Sequence, residues 1–192
     1  MKISALFAAS LPLVFLFSCS GEPNEKNADS LSKISDSTAA PVKESLIGKV
    51  FREPSELPEL AGYEDVGGSV LTEPGKPDFE FGISWLRSPD KNIVVLEKFI
   101  PQPDGKTRYE ILDTVSVPKL KDDQYISYCD CYSGDMFDSR IIALVKTDSA
   151  AFYNTIYKAW IADTRLKQIV PIEDPKGIRC TNNGFGEGEG EE

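Results

Sequence analysis

Histidine is absent from the chain. With it go the Ser-His-Asp and Cys-His nucleophile pairs, histidine-ligated zinc and the usual switch of charge near neutral pH. Basic residues are in short supply as well. The 21 Lys and Arg stand against 31 Asp and Glu, for a net charge of −10. That sign offers no footprint for nucleic acid and no basic patch for peripheral docking onto anionic lipid. The nearly unbroken apolar stretch Ile3 to Phe17 has only 15 residues, short of the roughly 20 that a spanning helix needs. No internal repeat and no heptad pattern runs through the chain, and Cys-x-x-Cys does not occur. The adjacent glycines of VGGSVL (66–71) lack the lysine and spacing of a phosphate loop and read as a turn.

The apolar stretch is itself informative. Lys2 precedes it, and it ends Leu16-Phe17-Ser18-Cys19. Its length suits a secretory signal. Leucine at −3, a small residue at −1 and cysteine at +1 resemble the lipobox of bacterial lipoproteins, with Phe17, larger than the usual −2 residue, as the one departure. The resemblance implies that the Cys19 thiol is joined to diacylglycerol and that a signal peptidase cuts between Ser18 and Cys19. The new amine is then open to acylation, with palmitate for example. Each buried methylene contributes roughly 0.8 kcal/mol, so one acyl chain holds weakly and two or three hold durably. Cys19 is thus expected to be an anchor to the membrane rather than a redox centre. The location implied is the cell envelope. Ser20 at +2, rather than Asp, resembles the signal for release to the outer membrane of a Gram-negative host.

Cleavage after Ser18 would leave 174 residues, enough for one ordinary domain. Residues 19–45 are polar, with few large apolar groups, and are expected to form a disordered tether. A coil of this length typically reaches roughly 25–30 Å. The acidic, glycine-rich residues 182–192 are expected to form a disordered tail. Between them, residues 46–181 carry the pattern of a folded domain. Strands are predicted at 78–86, 92–100, 108–117, 124–132 and 139–146, where β-branched and aromatic residues lie between turn signals. Short connections favour an antiparallel meander, because parallel strands need long crossovers. After Asp148-Ser149, the spacing of Phe152, Ile156 and Trp160 predicts a helix ending near Lys158, followed by a turn near Thr164-Arg165. Trp160 is expected in the core. The fold class expected is a single α+β domain, mainly an antiparallel β meander with one short helix.

With Cys19 taken as the anchor, Cys129, Cys131 and Cys180 remain in an exported, oxidising setting. Cys129 and Cys131 stand two apart on a predicted strand and would share a face, and a bond between them would force a small strained ring. One of them should therefore reach Cys180. Cys131 is preferred, at the strand's exit, with Cys129 left free. Such a bond closes a loop of about 50 residues, worth roughly 3–4 kcal/mol in the chain-entropy model.

Sharper readings of these residues lack part of what they need. YCDCY as a zinc site has three thiols and no histidine, with Asp130 as an imagined fourth ligand. Asp130, Asp135 and Asp138 do not match the spacing of a calcium loop. Glu80, Glu97, Glu110 and Asp113 could supply a glycosidase-like acid pair, or could stand on the wet face of an antiparallel sheet. No motif calls for a cofactor or a catalytic residue. The reading that follows is a lipid-anchored envelope protein without enzymatic activity, acting as a binding or structural module and open to an envelope protein partner. The alternatives are an inhibitor or immunity-type lipoprotein that blocks an envelope enzyme with its acidic surface, and a carboxylate-based hydrolase.

Overall fold

The computed structural model describes residues 45–72 and 79–185. Ser18, Cys19, all of the 19–45 tether but Ser45, and residues 186–192 of the tail lie outside the described residues.

The first sheet is built from β1 (Val50–Phe51), β2 (Glu64–Val70), β3 (Phe81–Arg87), β4 (Lys91–Pro101) and β5 (Thr107–Pro118), in the order β1-β5-β4-β3-β2. The second contains β6 (Gln124–Tyr128), β9 (Ile141–Lys146), β11 (Ile156–Asp163) and β12 (Gln168–Ile172), in the order β12-β11-β9-β6. The third, smaller sheet contains β7 (Cys131–Ser133), β8 (Met136–Phe137), β10 (Phe152–Tyr153) and β13 (Ile178–Thr181), in the order β10-β13-β7-β8. Every pairing is antiparallel. The predicted strands are therefore present and antiparallel, and β2 to β5 do form a meander, but the chain leaves the first sheet after β5, so the later strands fall on the second sheet and, at Cys131 and Tyr132, on the third.

Alternation along each strand explains the layers. On β4, Val94 and Leu96 face the second sheet with Ile83 and Trp85, and meet Ile142, Leu144 and Trp160. Their neighbours Ile93 and Val95 point the other way, with Leu86 and Ile111, and are covered by Leu46, Phe51, Leu57 and Leu60. That cover is the segment 45–63, which folds as β1 and two 3-10 turns, Pro54–Glu56 and Pro58–Leu60, each opened by a proline that presets φ. Ala143, Val145 and Ala159 on the far side of the second sheet pack on Cys131, Ile178 and Cys180 of the third. Both large sheets are thus apolar on two faces, which is why 93–96 reads as an unbroken apolar run. Each fully buried Val, Leu or Ile contributes roughly 1.5–3 kcal/mol.

The predicted helix is not formed. Phe152 lies on β10, and Ile156 and Trp160 lie on β11. A spacing of four is even, so it suits one face of a strand as well as one face of a helix. Here a bulge between Ile156 and Lys158 breaks the stripe as well. Ile156 then packs toward the third sheet while Trp160, as expected, sits in the core between the first two. Asp148 caps a turn, its Oδ1 accepting from the Ala150 N–H at 2.9 Å, and starts no helix. No helix among the described residues is long and apolar enough to cross a membrane.

Candidate functional site

The site lies on the outer face of the first sheet, where the cover formed by 45–63 stops short. The sheet bulges between Leu96 and Glu97, and Glu97 pairs with Gly82 on one side and Ile111 on the other. Its carboxyl is held by β3: Ser84 Oγ donates to Glu97 Oε1 at 2.9 Å. Oε2 has no hydrogen-bond partner among the described residues, although Glu97 is only 5 % exposed. Burial pushes the carboxyl up to about 7, against the pull of the Ser84 bond and with a further push from the negative charge of Asp65.

Glu97 opens into a cleft of about 380 Å³. Gly68 keeps its floor low, since a Cβ there would stand 3.2 Å from Ser84 Oγ, and Gly82 makes room for the Phe99 ring, which a Cβ would meet at 2.7 Å. The VGGSVL segment is therefore no turn. It forms most of β2, and its Gly68 lies opposite Ser84. A row of rings, Phe51–Tyr109 at 5.8 Å and Tyr109–Phe99 at 5.7 Å between centroids, provides an aromatic wall. Arg52, Glu53 and Asp65 complete the rim. The Arg52 guanidinium reaches Asp104 at 3.3 Å, while its Nε is buried without a partner among the described residues.

The other acids named from sequence are dispersed. Glu80 pairs with Lys98 at 3.4 Å on the surface, and Glu110 is half-buried on β5. Asp113 is buried on the opposite face of the sheet from Glu97, where it accepts from the Ile169 N–H of β12 at 2.7 Å and from the Thr114 N–H at 2.8 Å. Glu97 and Asp113 are thus neither on a wet face nor a facing pair. Asp130 accepts from Asn183 at 2.9 Å, Asp135 meets Arg179 at 3.2 Å, and Asp138 binds the Arg140 guanidinium through both of its oxygens. Each of the three acids is turned to a different partner.

Cys131 and Cys180 are bonded, and they stand opposite each other in the β7–β13 ladder with Cα atoms 3.9 Å apart. Cys129 is free and buried. It does not share a face with Cys131. Its φ of 63° turns the chain out of β6, so Cys129 packs between the first two sheets and Cys131 between the second and third. Burial, the largest cause, pushes its thiol up to about 12, despite a bond to Ser69. A thiol of that kind is unreactive.

The Glu97 cleft was missed as a site from sequence. Its signal was a charged residue inside a run that is apolar on both faces, beside two adjacent glycines with no turn to make. Comparison of the chain with protein-family models, curated proteins and solved structures gives no match.

Proposed function

We propose that the chain is a lipid-anchored envelope protein, held through Cys19, whose folded domain is a binding module with the Glu97 cleft as its site. One observation carries the binding part: a carboxyl buried to 5 % exposure keeps an oxygen without a partner among the described residues, beside an open, ring-walled cleft. A buried polar atom without a partner costs about 1–3 kcal/mol. Such a cost is commonly retained where recognition or catalysis needs it. The anchor rests on the likeness of residues 16–19 to a lipobox, and in a Gram-negative host Ser20 favours the outer membrane.

Glu97→Leu in the full chain tests the site without a known ligand. If the carboxyl serves recognition, the variant is more stable to urea at pH 8 by roughly 1–3 kcal/mol, because a desolvated charge has gone. A loss of stability would make Glu97 a structural acid and end the reading. Cys19→Ser tests the anchor: it should abolish fatty-acid labelling and membrane retention, and equal labelling of variant and parent would contradict it.

Asp65 on the rim of the same cleft favours a second reading, carboxylate-based hydrolysis with Glu97 as the general acid. Turnover of p-nitrophenyl glycosides by the full chain, lost in Glu97→Gln, would select it over binding alone.

A further inference from the structure

We propose that the Glu97 cleft recognises an ammonium group on a small organic cation, with Glu97 as its counter-ion and the Phe99–Tyr109 wall as its flank. The inference deepens the binding reading and rests on it. Among the described residues no cation meets the carboxylate of Glu97. The one basic residue of the rim among the described residues is Arg52, whose guanidinium is already engaged by Asp104. Glu53, Asp65 and Glu97 leave the lining with an excess of negative charge. Glu97 Oε1 is committed to Ser84, so the unpartnered Oε2 is the acceptor that an N–H donor would fill. Aromatic faces attract a cation through their quadrupole and do so more strongly when water is excluded. The Phe99 and Tyr109 rings stand 82° apart, so one of the pair can turn its face to a cation held by the buried carboxylate. The Arg52 Nε–H, without a partner among the described residues, suits a ligand that also carries an acceptor.

The groups that face Glu97 set a direction for pH. Asp65 of β2 repels its negative charge, Ser84 of β3 stabilises it, and Glu53 and Arg52 of the cover segment and Tyr109 of β5 line the same space. An ammonium ligand binds the ionised carboxylate, so binding releases a proton wherever Glu97 starts protonated. Affinity then rises about tenfold per pH unit below about pH 6, bends over through about pH 7 and levels off above it.

The test is a titration of the full chain in detergent micelles, followed by the amide resonances of Gly68, Gly82 and Ser84. The probes are n-butylamine, n-butanol and butyrate, matched in size and different in charge. The amine alone should shift these signals, with an affinity that falls about fivefold from pH 7 to pH 6 and about tenfold more from pH 6 to pH 5. In Glu97→Gln, which is isosteric and keeps a hydrogen bond available to Ser84, the shift should be lost while the remaining spectrum is unchanged. The pH profile of the parent chain keeps the test decisive if that variant misfolds. Equal shifts by n-butanol or butyrate would overturn the cationic class and leave the cleft a binding site. No shift by any of the three would overturn the cationic class and the binding reading together.

Discussion

Two carboxylates flank one bulge on opposite faces of the first sheet, and their surroundings differ. Asp113, 2 % exposed, accepts two main-chain N–H bonds and ties β5 to β12. Glu97, 5 % exposed, accepts one hydroxyl bond and keeps its second oxygen unpartnered among the described residues. Donors that meet a buried carboxylate offset its desolvation and join the elements that supply them. A carboxylate met on one oxygen only is a net cost to the fold. Burial alone therefore does not separate a structural acid from a recognition acid. The partners of each oxygen do.

The largest effect lies outside the pair and serves as a control on it. Replacing both Cys131 and Cys180 by alanine should cost about 4 kcal/mol, through the entropy of an unfolded chain freed of its loop. Because the third sheet packs on the far side of the second, the Glu97 titration should stay where it is. Urea melts and carboxyl NMR of the double variant check both halves.

Asp113→Ala should cost about 3 kcal/mol, since it leaves the Thr114 and Ile169 N–H groups unmet in the core. A urea melt showing no more than a few tenths of a kcal/mol would remove the contrast with Glu97.

Glu97 supplies the pH dependence. Its carboxyl is raised from 4.5 to about 7 in the folded chain. Between those values the folded state holds a proton that the unfolded state releases. The stability contributed by this group is therefore full at pH 4 and declines through that window, by about 3 kcal/mol in all, before levelling above pH 7. Melts of parent and Glu97→Gln from pH 4 to pH 8 should diverge by that amount, and parallel curves would contradict the assignment. The smallest effect is at the floor of the cleft. Gly68→Ala should change stability by less than about 1 kcal/mol, because its Cβ would stand 3.0 Å from the Ile83 carbonyl oxygen and a small shift accommodates it. Measured by the same amide titration, it should weaken n-butylamine binding severalfold by narrowing the cleft.

The strands were legible where one physical signal spoke alone. The segments at 92–100 and 108–117 are β-branched, aromatic and bounded by turn residues, and they form β4 and β5. That Cys180 bonds one of the neighbouring pair could be inferred from counting thiols and from ring strain, and the preference for Cys131 from its place at the strand's exit. The helix failed because an even spacing has two geometric solutions, and the bulge at Ile156 that decides between them depends on pairing with β9. Gly67-Gly68 read as a turn because glycine's freedom is local, whereas its use here is to let β2 lie close to Ser84. The cleft was illegible for the same reason. Glu97, Ser84, Gly68 and Tyr109 lie on four strands, and only the register of the sheet brings them to one face.

The most direct measurement is the titration of the Glu97 side-chain carboxyl by carbon NMR in the full chain, assigned with Glu97→Gln. A midpoint near 7 is expected, shifted up by burial beside a cleft whose Arg52 is engaged by Asp104. A midpoint in the ordinary carboxylate range, near 4.5, would mean that its second oxygen is already well met, and would contradict its role as a recognition acid.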